Sequence, residues 1–513
     1  MTAPTTVWGL LVAGVARDPG ATSIVSEGAP IDHRSLLETA ELLAAALRAK
    51  GVGNGDRVAI MERNSPAFLI ATFAVAGVGA VLVPLNLRLA ARELRATLED
   101  AGAALVLAHV EFRGVIEGAT DAPIAWIGPR GEGGRPFGLE LSTSGAAAPF
   151  LPAPLGPDDV AHLYYTSGTT GRPKGVPLTH GNVTSHALAA TTELDLDADD
   201  VWGHIAPMFH LADAWATLAV TAVGGCHAFL PRFDAADALA LFEERGVTVT
   251  NLVPVMLQRI LDVARRQDFD GGSLRLVLSG GAPIAPATVR AVLDVLRCEY
   301  VQTYGLTETS PYLTLALLEP RHRALDPDAQ LARRSRTGRA FETVELDVVD
   351  EDGRSVPRDD ATVGEIVARG STVTPGYWNR PEETAAAFRN GWFRTGDLAT
   401  IDEEGWVDIV DRAKDVIITG GENVYSIEVE NALYEHPAVL ECAAFGVPSD
   451  EWGEELRAAV VLSGDADEEE LRGHCRERIA GYKVPRRVLV LDELPKTGSG
   501  KISKRHLRES GPD

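Results

Sequence analysis

The sequence predicts an α/β fold, and three observations lead to that class. Short apolar strands alternate with amphipathic helices between residues 32 and 296, which is typical of layered αβα units built on largely parallel sheet. Residues 344–411 instead contain strand-like pieces joined by Gly, Asp and Pro turns, which indicates a small β-barrel-like portion. After residue 411 a shorter stretch has its own βα pattern, which predicts a small, mobile α+β C-terminal domain.

The alternation begins at Asp32, which can cap a helix that runs to Lys50 and ends before Gly51. The apolar run 69–85 contains two glycines and a proline, so we interpret it as a buried helix, a turn and a strand, and not as a membrane span. Further strands and helices are predicted, in chain order, at 58–61, 66–78, 80–83, 90–99, 104–108, 275–279 and 286–296.

The two predicted domains meet just after residue 411. The large N-terminal domain covers 1–411, the small C-terminal domain covers 412–513, and a hinge is expected near 411–414. The barrel-like strands are predicted at 344–349, 364–368 and 406–410. The C-terminal elements are predicted at 427–434, 439–447, 458–462, 468–479 and 487–490.

Composition limits the class of partner. The chain has 513 residues and a net charge of −25, so a nucleic-acid backbone is not an expected partner. Its four cysteines show no CxxC spacing, which favours a reduced, cytoplasmic setting. The apolar stretch 7–15 lacks a preceding basic region, so no secretory signal is expected. A homodimer is compatible with the sequence.

One segment, YTSGTTGRPKGV at 165–176, indicates a polyphosphate site. It follows an apolar strand, and glycines in such a loop let backbone N–H groups approach an anion while hydroxyls and a lysine add donors and charge. It is not a Walker A loop, because Pro173 stands before the lysine. The candidate nucleotide-binding residues of this loop are Thr166, Ser167, Gly168, Thr169, Thr170, Gly171 and Lys174.

The TSGTTGRPKG motif resembles the phosphate loop of the adenylate-forming superfamily. That superfamily contains acyl- and aryl-CoA synthetases, peptide-synthetase adenylation domains and luciferases, and further motifs extend the resemblance nearly end to end. It implies two half-reactions: a carboxylic acid and ATP form an acyl-adenylate and pyrophosphate, and CoA then takes the acyl group and releases AMP. The implied small molecules are therefore a carboxylic acid, ATP, CoA and Mg²⁺.

Two motifs after strands carry further implied roles. In YGLTETS, at 304–310, the resemblance implies that Tyr304 stacks on adenine, that Thr307 meets the α-phosphate region and that Glu308 holds Mg²⁺. In SGGAP, at 279–283, it implies that the segment lines the adenine and acyl sites. The nucleotide-binding residues implied here are Gly281, Ala282, Pro283, Tyr304 and Gly305.

The C-terminal third adds the remaining implied catalytic positions. Asp397 would accept from both ribose hydroxyls, Ile409 and Arg412 would also contact the nucleotide, and Lys414 matches the hinge position. The TGGENV segment would line the CoA tunnel through Gly420, Gly421, Glu422 and Asn423. Lys501, in a TGSGK turn near the C-terminus, matches the lysine of the adenylation step.

The acyl site is the least specific part of the resemblance. His210, in PMFH at 207–210, matches an aromatic gate between acyl site and CoA tunnel and is a candidate catalytic residue. The acyl-pocket residues are expected to be Trp202, His204, His210, Trp215, Gly280 and Gly305. No arginine is evident there for a second carboxylate, so a fatty, cyclic or aryl acid is expected. The alternatives are an enzyme limited to one half-reaction and a non-catalytic acyl- or nucleotide-binding homologue.

Overall fold

The computed structural model describes residues 3–25, 29–128, 150–166, 173–267, 269, 271–282, 284–449, 451–496 and 502–509. Within these ranges, no helix combines the length and apolar character that crossing a membrane requires.

Helices occur along the whole chain. They are α1 Val7–Val15, α2 His33–Ala49, α3 Pro66–Gly77, α4 Ala91–Ala101, α5 Arg113–Ile116, α6 His180–Glu193, α7 Leu211–Val223, α8 Ala235–Arg245, α9 Pro254–Gln267, α10 Pro286–Ala291, α11 Pro320–Arg323, α12 Pro327–Arg334, α13 Pro381–Ala387, α14 Ser426–Tyr434, α15 Glu468–Arg476 and α16 Lys504–Glu509. Short 3₁₀ turns lie at Val110–Phe112, Thr307–Thr309 and Gly481–Lys483, and a π-helical turn at Val292–Leu296 extends α10.

The described strands form four sheets. They are β1 Thr22–Val25, β2 Ile31–Asp32, β3 Arg57–Met61, β4 Val81–Pro84, β5 Ala103–His109, β6 Ile124–Ile127, β7 Val160–Thr166, β8 Lys174–Thr179, β9 Val201–His204, β10 Cys226–Phe229, β11 Val249–Leu252, β12 Leu276–Ser279, β13 Glu299–Gly305, β14 Tyr312–Leu315, β15 Arg339–Ala340, β16 Val344–Val349, β17 Gly364–Gly370, β18 Phe388–Arg389, β19 Trp392–Ile401, β20 Val407–Arg412, β21 Ile417–Thr419, β22 Glu422–Val424, β23 Val439–Ser449, β24 Gly453–Leu462 and β25 Arg487–Val490.

The sequence predictions of the first helices are confirmed by specific contacts. Asp32 caps α2, because its Oδ1 accepts from the backbone N–H of Ser35 at 2.7 Å. Gly51 follows the helix at φ 86°, a value that favours glycine. The apolar run 69–85 is divided between α3 and β4, as predicted, and both elements are buried.

Two largely parallel sheets organise the large N-terminal domain. One has the order β6-β5-β3-β4-β7-β8 and the other β15-β14-β13-β12-β11-β9-β10-β1-β2. Between them a shared core includes α1, α2, α3, α6 and α7, and alternate strand residues face it: Val58 and Ile60 lie in this core, whereas Ala59 and Met61 face the layer of α4 and α5. Helices α8, α9 and α10 cover the outer face of the second sheet. The predicted αβα layering is therefore confirmed, with strands buried on both faces.

The other two sheets are smaller. Strands β16 to β20 form an antiparallel sheet whose curved core contains Val348, Ile366 and Val407, in agreement with the predicted barrel-like portion. Strands β21 to β25 form the sheet of the smaller C-terminal domain, with α14 and α15 on one face and α16 on the other. Successive strands β20 and β21 thus belong to different sheets, and the boundary at 411–414 stays a prediction.

Candidate active site

The proposed phosphate loop connects the two antiparallel strands β7 and β8. Thr166 ends β7 and Lys174 begins β8, and these two residues pair directly across the ladder. The strand pairing therefore holds both ends of the loop together at one edge of the sheet. Ser167, Gly168, Thr169, Thr170 and Gly171 lie outside the described residues.

Lys174 belongs to a cluster with two residues from distant parts of the chain. Its Nζ lies 5.0 Å from the centroid of the Tyr377 ring, a cation–π distance. The Tyr377 hydroxyl donates to Glu308 Oε1 at 3.0 Å, and burial, followed by the Glu308 charge, raises the pKa of that hydroxyl. The cluster brings a lysine at the phosphate loop and a buried carboxylate into one region. Sequence reasoning found Lys174 and Glu308 but missed Tyr377.

A second cluster lies at the end of β13. The Tyr304 hydroxyl donates to Asp397 Oδ2 at 2.7 Å, and Arg412 Nε donates to Asp397 Oδ1 at 2.8 Å. The Asp397 side chain is 3% exposed, so its charge is held by these two donors and not by bulk water. Burial, then the carboxylate, raises the pKa of Tyr304 well above its ordinary value, so the tyrosine is neutral and donates.

Backbone geometry sets up that second cluster. Asp397 in β19 and Arg412 in β20 are direct ladder partners, so their side chains share one face of the sheet. Ile409 packs against the same small core as Tyr304. Tyr304 lies near the end of β13, and Glu308 lies in the 3₁₀ turn Thr307–Thr309 that follows, so the short segment 304–308 joins the two clusters.

Two glycines at this site allow close backbone packing. A Cβ on Gly280 would lie 2.3 Å from Thr303 Oγ1, and one on Gly305 would lie 1.8 Å from the carbonyl oxygen of Pro311. Neither position can accept a side chain without a backbone shift. Gly281 has φ 82°, and the adjoining Ala282 carbonyl accepts from the Gln302 side chain at 3.4 Å. Pro283 lies outside the described residues.

The predicted gate lies at the start of α7. His210 is the N-cap residue of that helix, and its ring lies 4.5 Å from the Phe209 ring, centroid to centroid. Asn64, after β3, holds the preceding segment: its Nδ2 donates to the carbonyls of His204 and Ala206, and its Oδ1 accepts from Met208 N at 2.8 Å. Sequence reasoning missed Asn64, because nothing local connects residue 64 to residue 208.

Trp202 and His204 are engaged in a buried hydrogen-bond network. Asp213 accepts from Trp202 Nε1 at 3.2 Å and from His204 Nδ1 at 2.6 Å. His204 Nε2 meets His227 Nδ1 at 3.0 Å, and His227 Nε2 meets Thr221 Oγ1 at 3.0 Å. Every member of the network is buried. Both His204 nitrogens are thus bound within the protein, and its direct contact with an acyl group stays a prediction.

The predicted C-terminal residues lie apart from these clusters in sequence. Gly420 and Gly421, at φ 61° and 84°, form the two-residue turn of the hairpin between β21 and β22, and both are exposed with Glu422 and Asn423. Lys414 is exposed between β20 and β21. Lys501 lies outside the described residues.

The arrangement can bind a nucleotide and a metal. The described residues contain no group of three or more His, Cys, Asp and Glu side chains arranged to hold a metal ion. A single buried carboxylate such as Glu308 nevertheless suits Mg²⁺, which commonly takes one or two protein carboxylates and completes its shell with phosphate oxygens and water.

Comparisons with known proteins agree with this geometry. Residues 11–378 match the family described as AMP-binding enzyme, and residues 428–501 match the AMP-binding enzyme C-terminal domain. A feruloyl-CoA synthase from Amycolatopsis sp is 39% identical over 493 residues, which cover 96% of each chain.

Solved structures agree along nearly the whole chain. MatB from Rhodopseudomonas palustris with bound ATP has a TM-score of 0.87 and 33% identity, covering 99% of this chain and 98% of the other. The o-succinylbenzoate CoA synthetase MenE from Bacillus subtilis, in complex with ATP and a magnesium ion, has a TM-score of 0.84 and 29% identity, covering 97% and 98%.

The chain therefore belongs to the family of AMP-binding enzymes. The predicted superfamily and fold class are confirmed. The predicted activity class, an ATP-dependent carboxylic acid–CoA ligase, is confirmed as well, because the curated relatives are CoA ligases.

Proposed function

We propose that the protein joins an aryl or other largely apolar carboxylic acid to CoA at the site around the 304–308 turn. The observation that carries this proposal is a pair of neighbouring clusters. In the first, the buried Asp397 is held by Tyr304 and Arg412. In the second, which the segment 304–308 joins to the first, Tyr377 contacts both Glu308 and Lys174. The first group suits a ribose, and the second suits a polyphosphate with its magnesium ion.

The nucleoside would bind at Asp397. An ionised carboxylate has about four acceptor sites, so Asp397 can accept from ribose hydroxyls in addition to its two protein donors. Tyr304 would present its ring to adenine, with the turn at Gly281 and Ala282, the adjoining Gly305 and the side chain of Ile409 beside it. Arg412 would hold the Asp397 carboxyl group in place and contact the nucleotide.

The phosphates would bind between the 166–174 loop and the 304–308 turn. Lys174 supplies positive charge, and Thr166 and Thr307 supply hydroxyls. Glu308 would hold Mg²⁺, which supplies neutralisation of phosphate charge when it is bound. The protein as a whole carries a net charge of −25, so such local groups are needed to attract an anionic substrate.

In the first half-reaction, a carboxylate oxygen of the acid attacks the α-phosphorus of ATP and pyrophosphate leaves. Its catalysis consists mainly of positioning and charge neutralisation. Lys501 would contact the reacting groups, and the loss of one such contact costs on the order of 3 kcal/mol.

In the second half-reaction, the CoA thiolate attacks the acyl carbonyl carbon and AMP leaves. The exposed 420–423 turn would line the path of CoA, and His210 would gate it. Because Lys501 and this turn both belong to the C-terminal domain, that domain would rotate about Lys414 between the two steps.

The acyl group would bind between α7 and the ends of β12 and β13. Trp202, His204, His210 and Trp215 lie on the α7 side, and Gly280 and Gly305 lie at the strand ends. The described rings near Trp215 favour a flat acid, and two relatives are named for aromatic acyl groups, feruloyl and o-succinylbenzoate.

The test is to assay the two half-reactions separately across a panel of benzoic, cinnamic and fatty acids. We expect acid-dependent exchange of pyrophosphate into ATP and CoA-thioester formation with at least one aryl acid. In Lys501→Ala, exchange is expected to fall while thioester formation from a supplied acyl-adenylate remains. Equal loss of both steps would contradict the role of Lys501, and no exchange with any acid would contradict the proposed function.

Four further expectations accompany this function. A cytoplasmic location agrees with cysteines 226, 298, 442 and 475, which are free and buried. The homodimer, the absence of a nucleic-acid partner and the 411–414 hinge stay predictions.

A further inference from the structure

The rings of Trp215, Tyr312 and Phe341 form an aromatic box around a fully buried histidine, beside the proposed acyl site. His186, on α6, has its ring centroid 5.2 Å from that of Trp215, 5.1 Å from that of Tyr312 and 5.1 Å from that of Phe341. The Trp215 and Phe341 rings contact the Tyr312 ring at 5.2 and 6.1 Å. Three elements distant in sequence therefore converge on one imidazole.

Among the described residues, neither nitrogen of His186 has a hydrogen-bond partner. The Tyr312 hydroxyl is buried beside this ring, next to the Trp215 and Thr303 side chains. Burial lowers the pKa of His186 to about 3, so the ring is neutral and presents one N–H donor and one nitrogen acceptor. A buried polar group without a partner is unfavourable, and native proteins leave few of them.

The ring nitrogens of neighbouring aromatic and histidine side chains have hydrogen bonds, which sets His186 apart from them. Trp215 Nε1 donates to the carbonyl of Ala212 at 3.0 Å. His204 and His227, also fully buried, have hydrogen bonds on both ring nitrogens. His186 therefore differs from these neighbours in having no hydrogen bond at either ring nitrogen among the described residues.

The box adjoins residues that the proposed function assigns to the acyl group, so this inference rests on that function. Tyr312 is the ladder partner of Gly305. Trp215 lies on α7, the helix that His210 caps. Tyr312 and Trp215 therefore connect the strand end at Gly305 and the start of α7 with the His186 ring.

We propose that His186 determines the acid specificity, and that the preferred acid carries an aromatic ring with a hydroxyl group that donates to a His186 nitrogen. The same hydroxyl oxygen can accept from Tyr312. A hydroxyl fits because it can donate to the acceptor nitrogen of His186 and accept from the neutral hydroxyl of Tyr312. A carboxylate or ammonium group would be buried there without a counter-charge among the rings.

The test compares two pairs of acids that differ by one hydroxyl: 4-hydroxycinnamate with cinnamate, and 4-hydroxybenzoate with benzoate. The measured quantity is kcat/KM for pyrophosphate exchange in the wild type, His186→Phe and His186→Gln. We expect the wild type to favour the hydroxylated acid of at least one pair by about 10- to 100-fold, because the deoxy acid leaves buried polar groups unpaired.

In His186→Phe we expect that preference to fall to about threefold or less, mainly through a higher KM for the hydroxylated acid, while the deoxy acid keeps its kcat. His186→Gln retains an acceptor and a donor, so part of the preference is expected to return. Circular dichroism and urea unfolding establish that each variant is folded. If His186→Phe does not fold, the test is the preference of His186→Gln, which is expected to lie below that of the wild type.

His162→Phe is the matched control. His162, on β7, is also fully buried without hydrogen-bond partners among the described residues, and burial lowers its pKa to about 3, but its ring lies beside Tyr164 and outside the box. The hydroxyl preference is expected to be unchanged in this variant.

The outcomes separate the inference from the function. Exchange with both acids of each pair at equal kcat/KM overturns the inference and leaves the proposed function in place; this is the result if an ordered water already satisfies His186. An undiminished preference in folded His186→Phe also overturns it. No exchange with any acid overturns the proposed function itself.

Discussion

At the scale of single residues, burial decides what each ionisable side chain does. Asp397 is buried between a tyrosine hydroxyl and an arginine, so it remains an acceptor that water does not compete for. Glu62, after β3, is buried: its Oε1 accepts from Arg63 N at 2.9 Å, and no cation bridges its Oε2 among the described residues. Two buried carboxyl groups thus behave differently because their surroundings differ.

Asp397→Asn is expected to raise the KM for ATP by about 10- to 100-fold. The substitution keeps the size of the side chain but removes the charge that ribose hydroxyls and Arg412 would meet, and hydrogen bonds to charged groups contribute about 1.5–3 kcal/mol. Steady-state exchange kinetics at varied ATP give the measurement. Tyr304→Phe removes only one donor to Asp397 and should raise the KM for ATP less. An unchanged KM for ATP in Asp397→Asn would contradict the assignment of Asp397 to the ribose.

Glu62→Gln is expected to make stability less sensitive to pH. Burial raises the pKa of Glu62 from 4.5 to about 8. Between those values the folded protein keeps a proton that the unfolded chain releases, so this group lowers the free energy of unfolding as pH rises from 4.5 to 8, and no further above 8. The effect is on the order of 1.4 kcal/mol for each unit of pKa difference.

Urea unfolding of wild type and Glu62→Gln between pH 5 and pH 9 measures that difference. The advantage of the glutamine variant should grow up to about pH 8 and then level off. Glu38→Gln, at an exposed position of α2, is the control and should follow the wild type. A constant difference between Glu62→Gln and wild type at every pH would mean that Glu62 does not titrate in this window.

At the scale of elements, a partly buried lysine links α16 to another helix of the C-terminal domain. Lys504 Nζ lies 2.8 Å from Glu430 Oε1 and 2.5 Å from Ser426 Oγ, both on α14. Ser426 in turn donates its N–H and its hydroxyl to Asp411, in β20. This chain of contacts joins the last helix, the first helix of the small domain and the last strand of the barrel-like sheet.

Lys504→Met is expected to lower the free energy of unfolding by about 3 kcal/mol, because it leaves the buried Glu430 carboxylate without its cation. The Lys504 and Glu430 side chains are 17% and 13% exposed. Lys496→Met is the matched control: it breaks the pair with Glu441, in which the lysine is 40% exposed, and should cost less than about 1 kcal/mol. Equal losses in denaturant unfolding would show that burial does not distinguish the two pairs.

At the scale of the whole molecule, the two domains are built on different sheets, and the chain passes from one to the other next to the cluster of Tyr304, Asp397 and Arg412. Arg412 ends a strand of the barrel-like sheet, and Ile417–Thr419 begins the sheet of the small domain. The exposed residues between them include Lys414. A rotation of the small domain would change backbone angles there and leave both sheets intact.

Lys414→Pro is expected to separate the two half-reactions. Proline restricts φ to about −65°, so it holds the connection near one conformation. We expect one half-reaction to stay within about threefold of wild type and the other to fall by about tenfold or more. Lys414→Ala removes the same side chain without restricting the backbone and should retain both steps. Parallel loss of both steps in the proline variant would contradict the hinge.

Much of the fold could be predicted because local signals were strong. The Asp32 cap, the interrupted apolar run 69–85 and the strand Val344–Val349 follow from capping chemistry and from periodicity. Contacts between distant segments could not be predicted in the same way. Tyr377, Asn64 and His186 carry no motif, and their roles depend on partners about 70, 140 and 125 residues away.

The sequence by itself determined the layered α/β class through its alternating strands and helices, and a polyphosphate site through glycines, hydroxyls and a lysine at set spacings. Its motifs indicated the family and the class of reaction by resemblance. The tertiary structure decided which of these groups meet. It joined Asp397 to Tyr304 and Arg412 by strand pairing, and it enclosed His186 in rings from three other segments. The physical reason is that spacing in a motif specifies local backbone geometry, whereas burial and hydrogen-bond satisfaction arise only when separate elements pack together.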